Sequence, residues 1–289
     1  MFFIDFNESL NISNTAFGFA IGTQMLMWGL TGPIFGAIAD RFGGHVAIIS
    51  SFLFYTLGVY FLYSGPNTGI FFQIHLGLLI GIGLGGTAIS IPMSIVGKHF
   101  PLSNRTIAMS IVTAVGSFGY FISPIFTNYS LIEYGWNYTL FLFSLFLVTG
   151  LIAAFFVRSP KENEIVENRS DQSFKEALSE AFKSKSYILL VSGFFVCGFH
   201  ITLVGTHVPK YVIDRGLEDW TAAAILSLIG LFNIFGSLLS GYLSTKISKK
   251  VLLSAIYLLR GFSIAFFIFT PPSVLTAVIF GASFGFLWL

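Results

Sequence analysis

The chain has 289 residues, a formal net charge of +2 and a mean hydropathy of +0.83. Only 10% of the residues are charged, against roughly 25% in a soluble domain, and 55% are hydrophobic. So little charge cannot cover the water-facing surface of a soluble protein of this size, which excludes that class.

The apolar residues come in blocks about as long as the roughly 20 residues that carry a helix across a bilayer core. In chain order they predict spans over 15–38, 46–63, 69–93, 106–128, 138–157, 187–209, 220–242, 251–270 and 273–289. Pro271 and Pro272 separate the last two, and Arg260 is the one charge inside a span. No block alternates over about 10 residues, as a membrane β-strand would. The fold class expected is therefore an all-α membrane protein. Ahead of the first span, Met1–Asn14 carries Asp5 and Glu8 but no Lys or Arg, the reverse of a cleavable signal peptide. The one cysteine, Cys197, precludes an intrachain disulfide and reads as a buried thiol.

The basic residues set an orientation. Twelve of the fifteen lie in alternate loops: Arg41; Lys98 and Arg105; six between Arg158 and Lys185; and Lys246, Lys249 and Lys250. The opposite loops hold only Lys210 and Arg215. Positive loops stay inside, so the first set is expected in the cytoplasm, and Trp136, Trp220, Tyr129 and Tyr134 fall at the outer ends as an aromatic belt.

After the first span comes Gly36-Ala-Ile-Ala-Asp40-Arg41-Phe-Gly43-Gly44-His45. After the seventh comes Gly241-Tyr-Leu-Ser-Thr245-Lys246-Ile-Ser248-Lys249-Lys250, offset by 205 residues. Parallel halves with matching hydropathy are a known transporter construction. A glycine before such a loop lets helices approach closely, and Asp40 is suited to a helix N-terminus or a cation on a neighbouring helix.

On these residues the chain resembles the major facilitator superfamily, whose signature G-x-x-x-D-R-x-G-[RK]-[RK] joins helices 2 and 3. Gly36, Asp40, Arg41 and Gly43 match it; Gly44 and His45 depart from the basic pair, which the second copy keeps in Lys249 and Lys250. The resemblance implies two six-helix halves worked by alternating access, with this loop (Gly36, Asp40, Arg41, Gly43, and in the repeat Gly241, Lys246, Lys249, Lys250) latching one half to the other. It makes the nine spans helices 2 to 10 of a twelve-helix protein. The expected division is 1–157 as the N-terminal half, 158–186 as a cytoplasmic linker and 187–289 as the C-terminal half. Within the linker, Ser173-Phe-Lys-Glu176 reads as a capping box opening a helix with Phe174, Leu178, Ala181 and Phe182 on one face, lying on the inner membrane surface.

No Asp or Glu falls inside a span, whereas Arg260, His75, His200 and His207 do. Intramembrane ionisable groups mark substrate and ion paths, and a cation with imidazoles but no acid suits an anionic substrate such as a carboxylate. Arg260 lies ten residues past Lys250, about 15 Å into the membrane at helical rise, so snorkelling is difficult. It must meet water, carbonyls or a substrate anion, and either a substrate role or a structural tie between helices satisfies it. His200 and His207 share one face of helix 7, with Thr202 and Thr206 near it, and the resemblance places helices 4 and 7 on the cavity, which adds Gln73. A neutral histidine bonded to a neighbouring helix is the alternative. Gly77, Gly81 and Gly85, with Gly83 and Gly86, and further on Gly116 and Gly119, read as small faces for helix packing.

The stretch Gly230-Leu-Phe-Asn233-Ile-Phe-Gly236-Ser237 is similar to the oxalate/formate and monocarboxylate branch, with Ser237 standing where that branch has its substrate-pairing arginine; Asn233 joins the binding candidates. The function expected is a secondary active transporter of a small organic anion in the cell (inner or plasma) membrane. A proton or counter-anion is the expected co-substrate. No cofactor, metal or nucleic acid is expected, and the chain is read as a monomer in the lipid bilayer. The alternatives are efflux of lipophilic compounds, or a fragment that does not transport. Enzyme chemistry has no support: His99-x4 ends at Asn104 rather than an acid, metal ligands are not clustered, and no nucleotide loop is present.

Overall fold

The computed structural model describes residues 2–157, 174–244 and 246–288. They form a short helix α1 (Phe2–Leu10), α2 (Asn14–Phe42), α3 (Gly44–Ser64), and a helix that begins as α4 (Ile70–Phe72), widens into a π-helical segment (Gln73–Leu79) and resumes as α5 (Ile80–Thr87). There follow α6 (Ser90–His99), α7 (Leu102–Phe155), α8 (Phe174–Lys183), α9 (Lys185–Asp214), α10 (Asp219–Leu243), α11 (Lys249–Phe269) and α12 (Val274–Phe286).

The helix ends follow local chemistry. Ser13 accepts from the Ala16 amide and Ser184 from that of Tyr187, while Ser273 and Thr276 form a reciprocal capping box. At Gly43, φ is +94°, a region closed to most side chains, and its N–H closes α2 on the Ala39 carbonyl before α3 begins one residue later. Gly135, at φ +77°, divides α7 into two helical runs.

Six stretches of the described residues are long and apolar enough to cross a membrane: Gly44–Ser64, Ile70–Gly97, Ile111–Phe155, Lys185–Asp214, Asp219–Leu243 and Lys249–Phe269. The Ile111–Phe155 stretch takes in most of two of the expected spans, 106–128 and 138–157, which Gly135 separates. Two of the nine are not among these stretches. α2 covers 15–38, and α12 has 13 residues, about 20 Å of helix, so it is shorter than the expected 273–289. The expected helix over 69–93 also differs: it carries the π segment, and it breaks at Ala88, where ψ turns to 146°. The linker helix is present as α8; its expected Ser173 cap lies outside the described residues.

Apolar packing sorts into clusters. Phe6, Ala20, Val59, Leu62, Phe72, Leu76, Ile80 and Leu140 form one, from α1, α2, α3, the π-interrupted helix and the second run of α7. Phe35, Ala47, Ile48, Ile91 and Ala154 form another. Val204, Val212, Ile225, Ile229, Phe267, Phe280 and Phe284 make a third from α9 to α12, with Tyr120 of α7 against it.

Glycines set the closest crossings. A Cβ on Gly81 would stand 2.7 Å from the Gln24 carbonyl oxygen of α2, and one on Gly83 would stand 2.6 Å from the Tyr55 backbone of α3. Gly77 and Gly85 also face α2, and Gly86 faces Ser51, so the helix is held between α2 and α3 by two glycine faces, as the spacing predicts. Gly116 and Gly119 of α7 differ: no heavy atom of the described residues lies within 4 Å of a Cβ at either. The close approach on that helix comes from the partner, where Gly230 of α10 meets the Tyr120–Phe121 backbone.

Candidate functional site

The α2–α3 turn is built by Gly43 and its buried neighbour Gly44, with Asp40 and Arg41 exposed and the Arg41 guanidinium over the Phe42 ring at 5.4 Å. Asp40 has an interaction partner of its own. Gly36 behaves differently from the sequence expectation: no heavy atom of the described residues lies within 4 Å of where its Cβ would be, and the same holds at Gly241. Neither glycine makes a close crossing here. In the repeat, Lys246 caps the Tyr242 ring at 4.5 Å, Lys249 and Lys250 are exposed in the first turn of α11, and Thr245 lies outside the described residues.

Among the described residues, Arg260 is the most buried charged side chain, with 1% of its surface exposed. Its Nε donates to the Leu287 carbonyl at 3.1 Å, and a terminal nitrogen donates to the carbonyls of Leu287 and Trp288. The other terminal nitrogen lies 3.5 Å from Cys197 Sγ, and the guanidinium is flanked by the rings of Tyr257 at 5.4 Å and Phe284 at 5.7 Å. Tyr257 in turn donates from its hydroxyl to the Gly193 carbonyl at 2.9 Å. One side chain of α11 thus joins α9 and α12, and carbonyl dipoles with aromatic faces stand in for a counter-ion.

His200 follows Cys197 by one turn of α9 and is half-buried; its Nδ1 is shielded from solvent and has no hydrogen-bond partner among the described residues. Thr202 bonds its own helix, donating to the Gly198 carbonyl at 3.0 Å, and His207 is exposed. Thr206 lines a cleft of about 240 Å³ near the end of α9, together with Asp5, Asn128, Lys210 and Asp219. Lys210 pairs with Asp214 at 2.9 Å.

Gln73 is not with this group. It opens the π segment and its Nε2 donates to the Ala16 carbonyl of α2 at 2.9 Å, leaving its buried Oε1 without a partner among the described residues. His75, also in the π segment, is buried beside Asn67 and stacked on Phe61 at 5.5 Å. Asn233 is taken up by a helix crossing, donating from Nδ2 to Ser117 Oγ at 3.0 Å. Among the described residues, no group of three His, Cys, Asp or Glu could hold a metal ion.

A family model described as Major Facilitator Superfamily matches residues 1–289. The chain belongs to the major facilitator superfamily. Monocarboxylate transporter 6 of Mus musculus is 24% identical over 90% of this chain and 60% of its own length. The sialic acid transporter NanX of Escherichia coli is 23% identical over 76% of this chain and 53% of its own. Among solved structures, the E. coli fucose:proton symporter FucP aligns with a TM-score of 0.64 at 16% identity, over 93% of this chain and 74% of that one. A D-xylose–proton symporter aligns at 0.61, over 93% and 69%. These structures share the major facilitator fold with the chain. The chain spans about six-tenths of the length of the curated relatives it matches first. The relatives and the fold are those of major facilitator transporters, not of enzymes.

Two residues of this arrangement, Ser117 and Tyr257, escaped the sequence reading, as did the contact made by Cys197, which is the buried thiol expected. Ser117 is one of many serines in an apolar run and carries no signal of its own. Tyr257 does carry one, since it stands three residues before Arg260 and hence on the same helix face. Cys197 stands on α9, far from Arg260 in sequence, and only the packing brings the two together.

Proposed function

We propose that the chain is part of a secondary active transporter that moves a small organic anion, first of all a carboxylate, across the cell membrane by alternating access. The observation that carries the substrate class is the sign of the span interior: no Asp or Glu is present, and the charge of Arg260, held by carbonyl dipoles rather than by a carboxylate, leaves a positive field beside His200. The names of the monocarboxylate and sialic acid relatives support the same class. In this reading the nine expected spans are helices 2 to 10, residues 1–157 and 187–289 belong to opposite halves, and 158–186 links them in the cytoplasm. The turn at Asp40-Arg41 and its repeat at Lys246–Lys250 act as inner latches. The protein works as a monomer, with a proton or counter-anion as co-substrate.

His200, Thr202 and Thr206 of α9 face the translocation path in this reading. Arg260 is a positioning residue: two carbonyls hold its guanidinium, and it fixes α9 and α12 around that path. Its contact with Cys197 Sγ is weak, since a thiol is a poor acceptor.

Efflux of lipophilic compounds is the second reading, favoured by a largely apolar groove between α7 and α10, with Glu133 its one charged lining residue, and by the name of a Paecilomyces divaricatus relative, the agnestins efflux protein AgnL12. Proteoliposomes holding the protein expressed from its complete reading frame separate the two. Saturable uptake of radiolabelled small carboxylates is expected. Saturable movement of lipophilic dyes, with none of any carboxylate, would replace the first reading by the second.

A further inference from the structure

The helix that starts at Ile70 passes through two different surroundings. Along α5 it is clamped on both sides. A Cβ on Gly81 would stand 2.7 Å from the Gln24 carbonyl oxygen of α2, and one on Gly86 would stand 2.6 Å from Ser51 Cβ of α3. Gly85 fits against Thr31 of α2, whose hydroxyl donates to the Met27 carbonyl at 2.7 Å. Backbones this close leave α5 no room to move against either neighbour. Beyond Ala88 nothing comparable holds α6. Its one glycine, Gly97, has only the flexible side chains of Arg105 and Met109 near its Cβ position, Cδ and Sδ both at 4.0 Å. Of the described α6 side chains only Ile91 is buried, packed with Phe35, Ala47 and Ile48, whereas Ser94 and His99 are exposed.

The break between the two has a covalent cause. In a continuous helix the N–H of residue 92 would bond the Ala88 carbonyl. Residue 92 is proline, which has no N–H and whose ring strikes that carbonyl. Ala88 turns its ψ to 146°, its carbonyl accepts from the Ile91 N–H at 3.2 Å instead, and the helix restarts at Ser90. Pro92 then lies in the first turn of α6, where a missing N–H leaves no bond unmade. A short irregular link thus joins a clamped helix to a lightly held one. By Thr87 the chain has run about 25 Å from Ile70 at helical rise, close to the depth of a hydrocarbon core. α6 therefore stands at the end of the span, on the side that the basic loops assign to the cytoplasm.

We infer that α6 is a gate arm at the inner mouth of the transport path, swinging on the joint between Ala88 and Pro92 while α5 stays fixed between α2 and α3. The purpose of the arm rests on the alternating-access reading; its motion does not.

Pulsed EPR on the complete protein in lipid nanodiscs, in a Cys197→Ser background, reads the motion directly. Spin labels at His99→Cys on α6 and Val46→Cys on α3 should give two distance populations. Pro92→Ala, which restores the N–H and lets the helix run on, should leave one. Labels at Leu30→Cys and Val46→Cys, exposed positions on the two helices that clamp α5, should give a single distance with or without the proline. Pro92→Ala should melt no lower than its parent, since alanine is the better helix residue. It should slow carboxylate counterflow by about tenfold or more, as loss of a hinge does. A single narrow distance between positions 46 and 99 with the proline in place would overturn the proposal. Two populations that Pro92→Ala leaves unchanged would do the same, as would full counterflow in that variant. If the parent moves no carboxylate, the transport reading falls, and the distances between positions 46 and 99 still decide whether α6 swings.

Discussion

Asn233 of α10 donates to Ser117 of α7 at 3.0 Å, next to the point where Gly230 presses on the Tyr120–Phe121 backbone. The two helices come from the opposite halves proposed for the protein, so a side-chain hydrogen bond and a glycine contact together join them. Replacing either partner alone should lower thermal stability by about 1 kcal/mol, and the double variant Ser117→Ala/Asn233→Ala should cost clearly less than the sum. Melting curves of the four proteins in one detergent give the coupling. Strict additivity would mean that the bond contributes nothing.

Gly230→Ala should be far more damaging than Gly116→Ala or Gly119→Ala. The first forces two backbones apart; the other two point a methyl into open space and improve helix propensity by up to about 1 kcal/mol. Expression level and melting temperature of the three variants check this. Equal loss in all three would show that α7 and α10 do not cross at Gly230.

Arg260→Gln should lower thermal stability by about 1.5–3 kcal/mol, the range for hydrogen bonds to a charged group. Arg260→Lys should recover only part of it, because an ammonium cannot reproduce the fork that engages two carbonyls and lies between two rings. Ligand-induced stabilisation by a panel of small carboxylates should keep its wild-type concentration dependence in both. A variant of normal stability whose carboxylate affinity has collapsed would instead make Arg260 a substrate-binding residue.

Topology has a separate check. In a Cys197→Ser background, Asp219→Cys should react with membrane-impermeant maleimide on intact cells, whereas Lys185→Cys and Arg105→Cys should be protected until the membrane is opened. Labelling at position 105 from outside would reverse the orientation taken from the Lys/Arg asymmetry.

The helical membrane fold could be read from the sequence because blocks of apolar residues and the charge of the loops are additive, local properties. The turn at Gly43 and the two glycine faces around Gly81 and Gly83 were equally legible, since each follows from one residue's lack of a Cβ. Pairings between distant helices were not. Gly116 and Gly119 carry the spacing of a packing face, yet the contact belongs to Gly230 on the other helix. Arg260 announced itself by the cost of burying a charge, but its partners, two main-chain carbonyls and a thiol, have no sequence signature. The π segment at Gln73–Leu79 was hidden for the same reason: a one-residue widening leaves composition and hydropathy unchanged.

Carrier-type transport of a small carboxylate shows itself in counterflow. Proteoliposomes containing the complete protein are loaded with an unlabelled carboxylate and diluted into a trace of the labelled compound. Label should accumulate transiently above its equilibrium level, and this overshoot should vanish when the vesicles are loaded with a neutral sugar of similar size. Label that only equilibrates, at the same rate in loaded and empty vesicles for every carboxylate tried, would contradict it.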